Sequence, residues 1–363
     1  MGWSLTIGHI GGTAVRLHFT FLLFLVWVGL ADYAAGGPAA AVDSVAFLIL
    51  VFLCVTLHEF GHILTARRFG IHTPEVILSP IGGIANMERM PEQPMQELLV
   101  AIAGPVVNVV ILALLMAGFG LGVSELTSLN FETATLVQRL AVVNATLVLF
   151  NLVPAFPMDG GRVLRALLAM AMGPAKATDV AARIGQGFAF LFVLLGLFYN
   201  PILMLVGIFI YFAAGSEQQA SAFNRFASQL RVRDAMEPSP ALLRGSDPLS
   251  RAVDLLLSTP QRDFPVIDDH GAAIGLLDRE AMLIGLKTHG ADADVARMMR
   301  ESSPVPQDVA LAEAFADMRS RGVKAEAVSD RGGRIVGILT VENIAEMMMV
   351  ENARPDWRFA RRN

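Results

Sequence analysis

The chain has a single cysteine and few charged residues. With Cys54 alone no intrachain disulfide can form, and a reduced or intramembrane setting fits this composition. Charged residues are 17% of the 363 residues and the formal net charge is −5, so there is no basic footprint of a nucleic-acid-binding protein. Hydrophobic residues reach 54%, which is on the apolar side for a soluble protein.

The apolar residues are unevenly distributed. Residues 1–216 hold nearly all the long apolar runs, whereas residues 217–363 alternate short apolar and charged stretches, as a soluble domain does. No charge precedes Arg16, and the run that follows is long enough to span a bilayer. A cleaved signal peptide is therefore not expected.

Six apolar runs are candidate membrane spans, since a helix needs about 20 apolar residues to cross. The last two are short and meet at Asn200-Pro201, which predicts a turn; one long kinked helix is the alternative. The six runs are residues 17–36, 43–66, 96–120, 136–156, 184–199 and 201–215.

The distribution of lysine and arginine predicts the orientation of these spans. Both are absent from residues 36–43, 121–135 and 199–200, which are the loops on one side. Basic residues follow the second, fourth and sixth spans on the other side. By the positive-inside rule, both ends and the C-terminal half are cytoplasmic. Arg139, near an outer end, is the one discordant charge.

The segment His58-Glu59-Phe60-Gly61-His62 lies within the second apolar run. Ionisable side chains at bilayer depth are costly and are functional candidates by default. Histidines at i and i+4 share a helix face and can bind one Zn²⁺, while Glu59 can reach a water at the metal. The alternative, two histidines hydrogen-bonded in helix packing, leaves Glu59 unexplained.

A catalytic zinc usually has three protein ligands, so one more is needed. Two prolines and two glycines in residues 151–162 break the fourth apolar run and allow close backbone approach. Asp159 is the only carboxylate between Glu132 and Asp179. It is the leading candidate for the third ligand, and its alternative role is an N-cap for the following helix.

Residues 77–87 alternate apolar with small side chains around Gly82-Gly83, which predicts a β-hairpin. Such backbone can lie at membrane depth only where protein covers it or where it lines a cavity. A free strand edge in that position could pair with an extended peptide.

These motifs resemble those of the site-2 protease family of intramembrane zinc metalloproteases. Its members carry HExxH in one transmembrane helix and an Asn-x-x-Pro-x-x-Pro-x-Asp-Gly motif in a later one. Residues 103–108 and the segment from Ile7 to Thr20 are similar to further patterns of the family. The resemblance implies an α-helical polytopic membrane protein with a membrane-associated β-hairpin.

The resemblance also implies roles for single residues. Glu59 would be the general base, and Asn151 would donate a hydrogen bond near the scissile carbonyl, unless it forms an interhelical hydrogen bond instead. Asn108 is expected to be structural. The Gly82-Gly83 segment resembles the hairpin that binds substrate as an added strand. Three residues would bind zinc: His58, His62 and Asp159.

Residues 217–230 are predicted to be a linker, and two similar units follow at residues 231–288 and 293–351. Each unit has the order helix, strand, turn, strand, helix, which indicates one α/β fold used twice. Residues 352–363 form a C-terminal tail.

The two units resemble a tandem CBS pair, a module that often binds adenine nucleotides such as ATP or AMP. In that family a Ser or Thr followed three residues later by Asp contacts the ribose. The second unit has Thr340 and Asn343, whereas the first has Asp278 and Ala281 and loses the pattern. The alternative is a dimerisation and docking module, and a homodimer is expected.

The sequence therefore predicts an intramembrane zinc endopeptidase of a prokaryotic cell membrane, regulated by its CBS pair. Its substrates would be transmembrane proteins or peptides in lipid, such as anti-sigma factors, pro-sigma factors or remnant signal peptides. A CBS-gated transporter is one alternative, but no repeat is visible among the spans. A non-cleaving membrane sensor is another, but it would not need Glu59.

Overall fold

The computed structural model describes residues 4–80, 82–86, 91, 93–124 and 133–354. The chain divides into two compact units, Met1–Gln219 and Ala220–Asn363. Several predicted features lie outside the described residues: Ile81 and Met87 of the hairpin, most of the 121–135 loop and most of the 352–363 tail.

The first two predicted spans belong to one long helix, α1 (Phe19–Arg68), with a single interruption. At Gly37 the backbone has φ 79° and ψ −169°, and Pro38 follows. Glycine adopts positive φ without steric penalty, and proline has no N–H for the helical ladder. The interruption therefore divides α1 into two apolar halves.

The remaining predicted spans lie in separate helices. Asn200 has an extended backbone between the last two helices, so the alternative of a single kinked helix is wrong. Among the described residues, four helices are long and apolar enough to cross a membrane, and α3 is shorter. The first two predicted spans thus lie in α1. The other four lie in three further long helices and in the shorter α3. These helices are α2 (Pro94–Phe119), α3 (Leu136–Asn151), α5 (Pro174–Tyr199) and α6 (Pro201–Ser228).

Arg139, the discordant charge of the topology prediction, is paired in the structure. Its Nη2 atom lies 2.5 Å from Asp43 Oδ2, and its guanidinium carbon lies 4.9 Å from the ring centre of Phe47. An opposite charge and an aromatic face both reduce the cost of placing a cation among apolar helices.

A four-stranded sheet packs against the end of α1, in the order β1-β2-β3-β4. The predicted hairpin is β3–β4, with Ser79 opposite Gly82. Phe60 and Ile63 of α1 pack against Val15, Val76 and Leu78 of the sheet, which fixes the hairpin beside the histidine segment. The strands are β1 (Ser4–Ile10), β2 (Thr13–His18), β3 (Glu75–Ser79) and β4 (Gly82–Asn86).

The second unit contains two repeats that exchange strands. Its sheets have the orders β6-β7-β8-β9 and β10-β11-β12-β5, so each repeat gives a short strand to the other sheet. The first repeat contains β6 (Leu243–Arg244), α8 (Leu249–Ser258), β7 (Phe264–Ile267), β8 (Ala273–Leu277) and α9 (Arg279–His289). The second contains β10 (Val305–Pro306), α10 (Leu311–Arg321), β11 (Ala325–Ser329), β12 (Ile335–Thr340) and α11 (Val341–Ala353).

Four short elements also lie in this unit: α7 (Val232–Ala235), β5 (Glu237–Pro238), a 3-10 helix (Val295–Arg297) and β9 (Arg300–Glu301). The helix, strand, strand, helix order predicted for each repeat is present.

Most of residues 217–230, predicted to be a linker, continue α6 as helix to Ser228. The reason is an amphipathic spacing of apolar residues at i, i+3, i+4 and i+7. These residues pack into the core of the second unit: Phe223, Phe226, Ala227 and Leu230.

Candidate active site

His58 and His62 lie on one face of α1, one helical turn apart. Both are buried, and their Nε2 atoms are 3.2 Å from each other. This is the arrangement that the i, i+4 spacing predicts, and Glu59 lies half-buried beside them.

Asp159 brings a carboxylate to the two histidines from α4 (Asp159–Met172). Its Oδ2 atom lies 3.1 Å from His58 Nε2 and 3.2 Å from His62 Nε2. The cap position of α4 is Met158, and no side chain caps the helix by a hydrogen bond. The alternative role of Asp159 as an N-cap is therefore not what the structure shows.

The hydrogen bonds of the two histidines fix which ring nitrogen faces Asp159. His58 Nδ1 lies 2.8 Å from Asn108 Oδ1, and His62 Nδ1 lies 2.7 Å from the carbonyl oxygen of Val100. Carbonyl oxygens only accept, so each Nδ1 carries the proton and donates it. In the neutral ring, which is the form that binds a metal, each Nε2 then directs a lone pair toward Asp159.

Three electron-pair donors therefore converge without a hydrogen between them. Asp159 Oδ2 is buried, and none of the residues that the structure describes donates a hydrogen bond to it. Tetrahedral zinc ligands at about 2.0–2.2 Å from the ion lie about 3.3–3.6 Å apart, slightly more than the observed 3.1–3.2 Å. The donor set and its spacing fit a zinc ion, and the hydrogen bonds from each Nδ1 to an oxygen are those that zinc-binding histidines usually make.

Two glycines allow α2 to approach the histidines. A methyl group at Gly104 would lie 2.2 Å from His62 Nε2 and 2.7 Å from His58 Nε2. A methyl group at Gly61 would lie 2.6 Å from the carbonyl oxygen of Ala103. Gly104 lies within the 103–108 pattern of the sequence, and a small residue in an apolar helix is the sequence signal for such a close approach.

The hairpin meets the site at Glu59. A methyl group at Gly83 would lie 2.7 Å from Glu59 Cγ, so β4 passes directly over this side chain. On its far side β4 pairs with no other strand among the described residues. The strand that contacts Glu59 is thus also the strand whose outer edge is unpaired among the described residues.

Asn151 is half-buried at the C-terminal end of α3. In the part of the chain that the structure describes, no hydrogen bond ties its side chain to another group. The alternative role of Asn151, an interhelical hydrogen bond, is thus not seen among the described residues, and the amide is available to a bound molecule.

An ion pair not anticipated from the sequence links α2 to α4. Arg165 Nε lies 2.7 Å from Glu97 Oε1, and both side chains are largely buried. Because Asp159 begins α4 and the histidines contact α2, this pair joins the helices that form the site.

In the second unit, Thr340 and Asn343 bond to each other. Thr340 Oγ1 lies 2.7 Å from Asn343 Oδ1 and accepts from the Asn343 backbone N–H at 3.1 Å, as the N-cap of α11. Neither residue lines the cleft of about 330 Å³ between the repeats. That cleft is lined by charged groups of both repeats, among them Arg262, Asp263, Asp278, Arg279, Arg300, Lys324 and Glu342.

Carboxylates crowd one another in this cleft. Burial, together with the nearby carboxylates of Asp278 and Glu342, raises the pKa of Asp263 to about 6. The cations of Lys324 and Arg262 oppose the shift without cancelling it. The cleft therefore has mixed charge, and part of that charge titrates near neutral pH.

Two histidines one helical turn apart, a carboxylate from a second helix and an adjacent glutamate define a zinc-dependent hydrolase. Sequence comparisons agree with this class. The model of peptidase family M50 matches residues 46–137 and 121–195, and the model of the CBS domain matches residues 232–287 and 293–350.

A zinc metalloprotease of Methanocaldococcus jannaschii is 32% identical over 356 residues, covering 96% of this chain and 97% of that protein. The solved structure of a site-2 protease from the same organism is 39% identical, covers 60% of this chain and 95% of its own, and has a TM-score of 0.43. The solved structure of CBSX2 in complex with AMP is 24% identical, covers 34% of this chain and 98% of its own, and has a TM-score of 0.30. This chain belongs to the site-2 protease family of zinc metalloproteases, peptidase family M50, and carries tandem CBS domains.

Proposed function

We propose that the protein is an intramembrane endopeptidase that cleaves transmembrane substrates. The observation that carries this proposal is the cluster of His58, His62 and Asp159 beside Glu59, with both histidines and the glutamate on α1, which is long and apolar enough to span a membrane. The two histidines and Asp159 would hold zinc. A bound zinc ion would polarise the scissile carbonyl and lower the pKa of a coordinated water.

Glu59 is the general base in this proposal. It accepts a proton when water adds to the scissile carbonyl and returns it to the amine nitrogen as the C–N bond breaks. Asn151 donates a hydrogen bond to the substrate carbonyl or backbone, which its unpartnered amide allows. A membrane-spanning segment of the substrate must unwind first, since its backbone groups are tied up in helical hydrogen bonds.

The edge of β4 would receive the unwound segment. Extended peptides bind exposed sheet edges through main-chain hydrogen bonds, and these replace the ones lost on unwinding. The contact between Gly83 and Glu59 supports this proposal, because it places β4 beside the general base.

In the proposed topology the chain crosses the membrane six times, with both ends and the CBS pair in the cytoplasm. The distribution of arginines supports this orientation, and the pairing of Arg139 with Asp43 removes its one exception. Substrates of this arrangement are anti-sigma factors, pro-sigma factors or remnant signal peptides, cut in regulated intramembrane proteolysis.

The CBS pair is proposed to regulate cleavage by binding an adenine nucleotide and to form a homodimer. The cleft between the repeats offers basic groups from both, including Arg262, Arg300 and Lys324. Apolar side chains on α8 and α9 support self-association, because they are exposed on the second unit: Leu257, Leu283 and Ile284.

Replacing Glu59 with glutamine tests the proteolytic proposal. Glu59→Gln keeps the size of the side chain but removes the base, so cleavage of a co-expressed transmembrane substrate should stop while zinc stays bound. Glu346→Gln, the same change at an exposed position of α11, serves as the matched control. Continued cleavage by Glu59→Gln would rule out this mechanism. Zinc binding without cleavage by the unmodified protein would indicate a non-cleaving sensor.

A further inference from the structure

A chain of hydrogen bonds runs from His58 across three helices. Beyond the contact between His58 and Asn108, Asn108 Nδ2 donates to Asn144 Oδ1 at 3.2 Å. Asn144 Nδ2 in turn donates to the carbonyl oxygen of Leu140 at 2.9 Å and contacts Cys54 Sγ at 3.4 Å. Asn108 and Asn144 are both 0% exposed, so water cannot replace any of these partners.

The backbone carbonyl at the far end gives this chain a direction. The Leu140 oxygen can only accept, so it holds the amide nitrogen of Asn144 and turns Oδ1 of Asn144 toward Asn108. Asn108 must then present its nitrogen to Asn144 and its oxygen to His58. The oxygen accepts the Nδ1 proton, and the Nε2 lone pair of His58 is left facing Asp159.

We propose that Asn144 is a positioning residue that acts through Asn108 to set the tautomer and ring orientation of His58. This inference rests on the proposed zinc site. The two histidines differ in this respect, since His62 donates directly to the backbone of Val100 and needs no side chain to fix it. The affinity of the site for zinc therefore depends on a residue of α3, which supplies no ligand.

A purely structural role for Asn144, as an interhelical hydrogen bond, makes a different prediction. In that case the loss of Asn144 destabilises the helices, and its effect on zinc affinity is the same whichever residue is at position 108. In the positioning role, the loss of Asn144 lowers zinc affinity only while residue 108 is an asparagine, whose amide can present either its oxygen or its nitrogen to His58. An aspartate at 108 accepts from His58 Nδ1 with either oxygen, so it needs no direction from Asn144.

The test is a double-mutant cycle on the full chain in detergent, with zinc affinity measured by chelator competition. Asn144→Leu should weaken zinc binding by up to about 10–100-fold, because Asn108 would lose its fixed orientation and losing the group that orients a ligand usually costs that much. In the Asn108→Asp background the same change should alter zinc affinity by no more than roughly twofold, the ordinary error of additivity. An equal loss in both backgrounds, or no loss in either, would overturn the proposal.

Two controls separate the possible failures. Cys54→Ala removes the thiol contact of Asn144 but leaves the chain to His58 intact, so its zinc affinity should match that of the unmodified protein. Should Asn144→Leu fail to fold, Asn144→Ala removes the same hydrogen bonds without adding bulk, and the same comparison applies. Absence of zinc binding in the unmodified protein would refute the proposed site itself, whereas normal binding with an insensitive Asn144 refutes only the positioning role.

Discussion

Gly104 shows how one missing side chain shapes the site. It lies against both Nε2 atoms, where any Cβ atom would overlap the position of the histidine rings. Real Cβ atoms are not found at such distances, so a larger residue must displace the rings or the helix. The glycine therefore sets how near α2 can come to the ligands.

Gly104→Ala should abolish zinc binding by forcing His58 and His62 out of line with Asp159. Gly118→Ala is the matched control, because Gly118 lies in the same helix and a methyl group there meets nothing within 4 Å. The control should bind zinc normally and gain up to about 1 kcal/mol of helix stability. Zinc content after purification measures both, and a fully loaded Gly104→Ala protein would contradict this reading of the site.

At the scale of elements, the ion pair between α2 and α4 holds the histidine-contacting helix to the aspartate-bearing helix. Glu97 is nearly fully buried, so its charge depends on Arg165 for compensation. A buried charge left without its partner is strongly destabilising, whereas replacing both partners by neutral groups is often tolerated.

Arg165→Met should therefore lower the free energy of unfolding by about 3–5 kcal/mol. Glu97→Gln combined with Arg165→Met should recover most of that loss, because no unpaired charge remains. Unfolding in detergent, followed by circular dichroism, provides the measurement. A single variant as stable as the unmodified protein would show that the pair does not hold these helices.

Sequence patterns predict contacts within one helix better than contacts between helices. Spacing within one helix predicts His58 and His62, and the scarcity of carboxylates points to Asp159. Asn144 and the partner of Glu97 were missed, because contacts between distant helices leave no mark in local spacing. Residues 217–228 are helix, because apolar residues recur at helical spacing among their polar neighbours. The Thr340 and Asn343 pattern comes from the family resemblance, and neither residue lines the cleft.

On the scale of the whole molecule, the CBS unit adds a pH-sensitive group to a membrane enzyme. The folded-state pKa of Asp263 is about 6, above the ordinary value of 3.8, so folding favours its protonated form. The stabilising contribution of the protonated group is complete below about pH 4 and is lost as the pH rises through about 6. This contribution to the free energy of unfolding is at most about 3 kcal/mol.

Asp263→Asn should remove this dependence. Between pH 4 and pH 7 the melting temperature of the second unit in the unmodified protein should fall relative to that of the variant. Asp269→Asn, at an exposed position of the same repeat, should behave like the unmodified protein. Parallel melting curves for Asp263→Asn and the unmodified protein across this range would contradict the raised pKa.

The central claim is that His58, His62 and Asp159 together hold one zinc ion for proteolysis. The most direct measurement is the zinc content of the purified protein and of Asp159→Ala. We predict one zinc per chain in the unmodified protein and a large loss in Asp159→Ala with the helices intact, since Asp159 does not cap α4. Unchanged zinc content in Asp159→Ala would contradict the account, because the metal would then be bound without the third ligand.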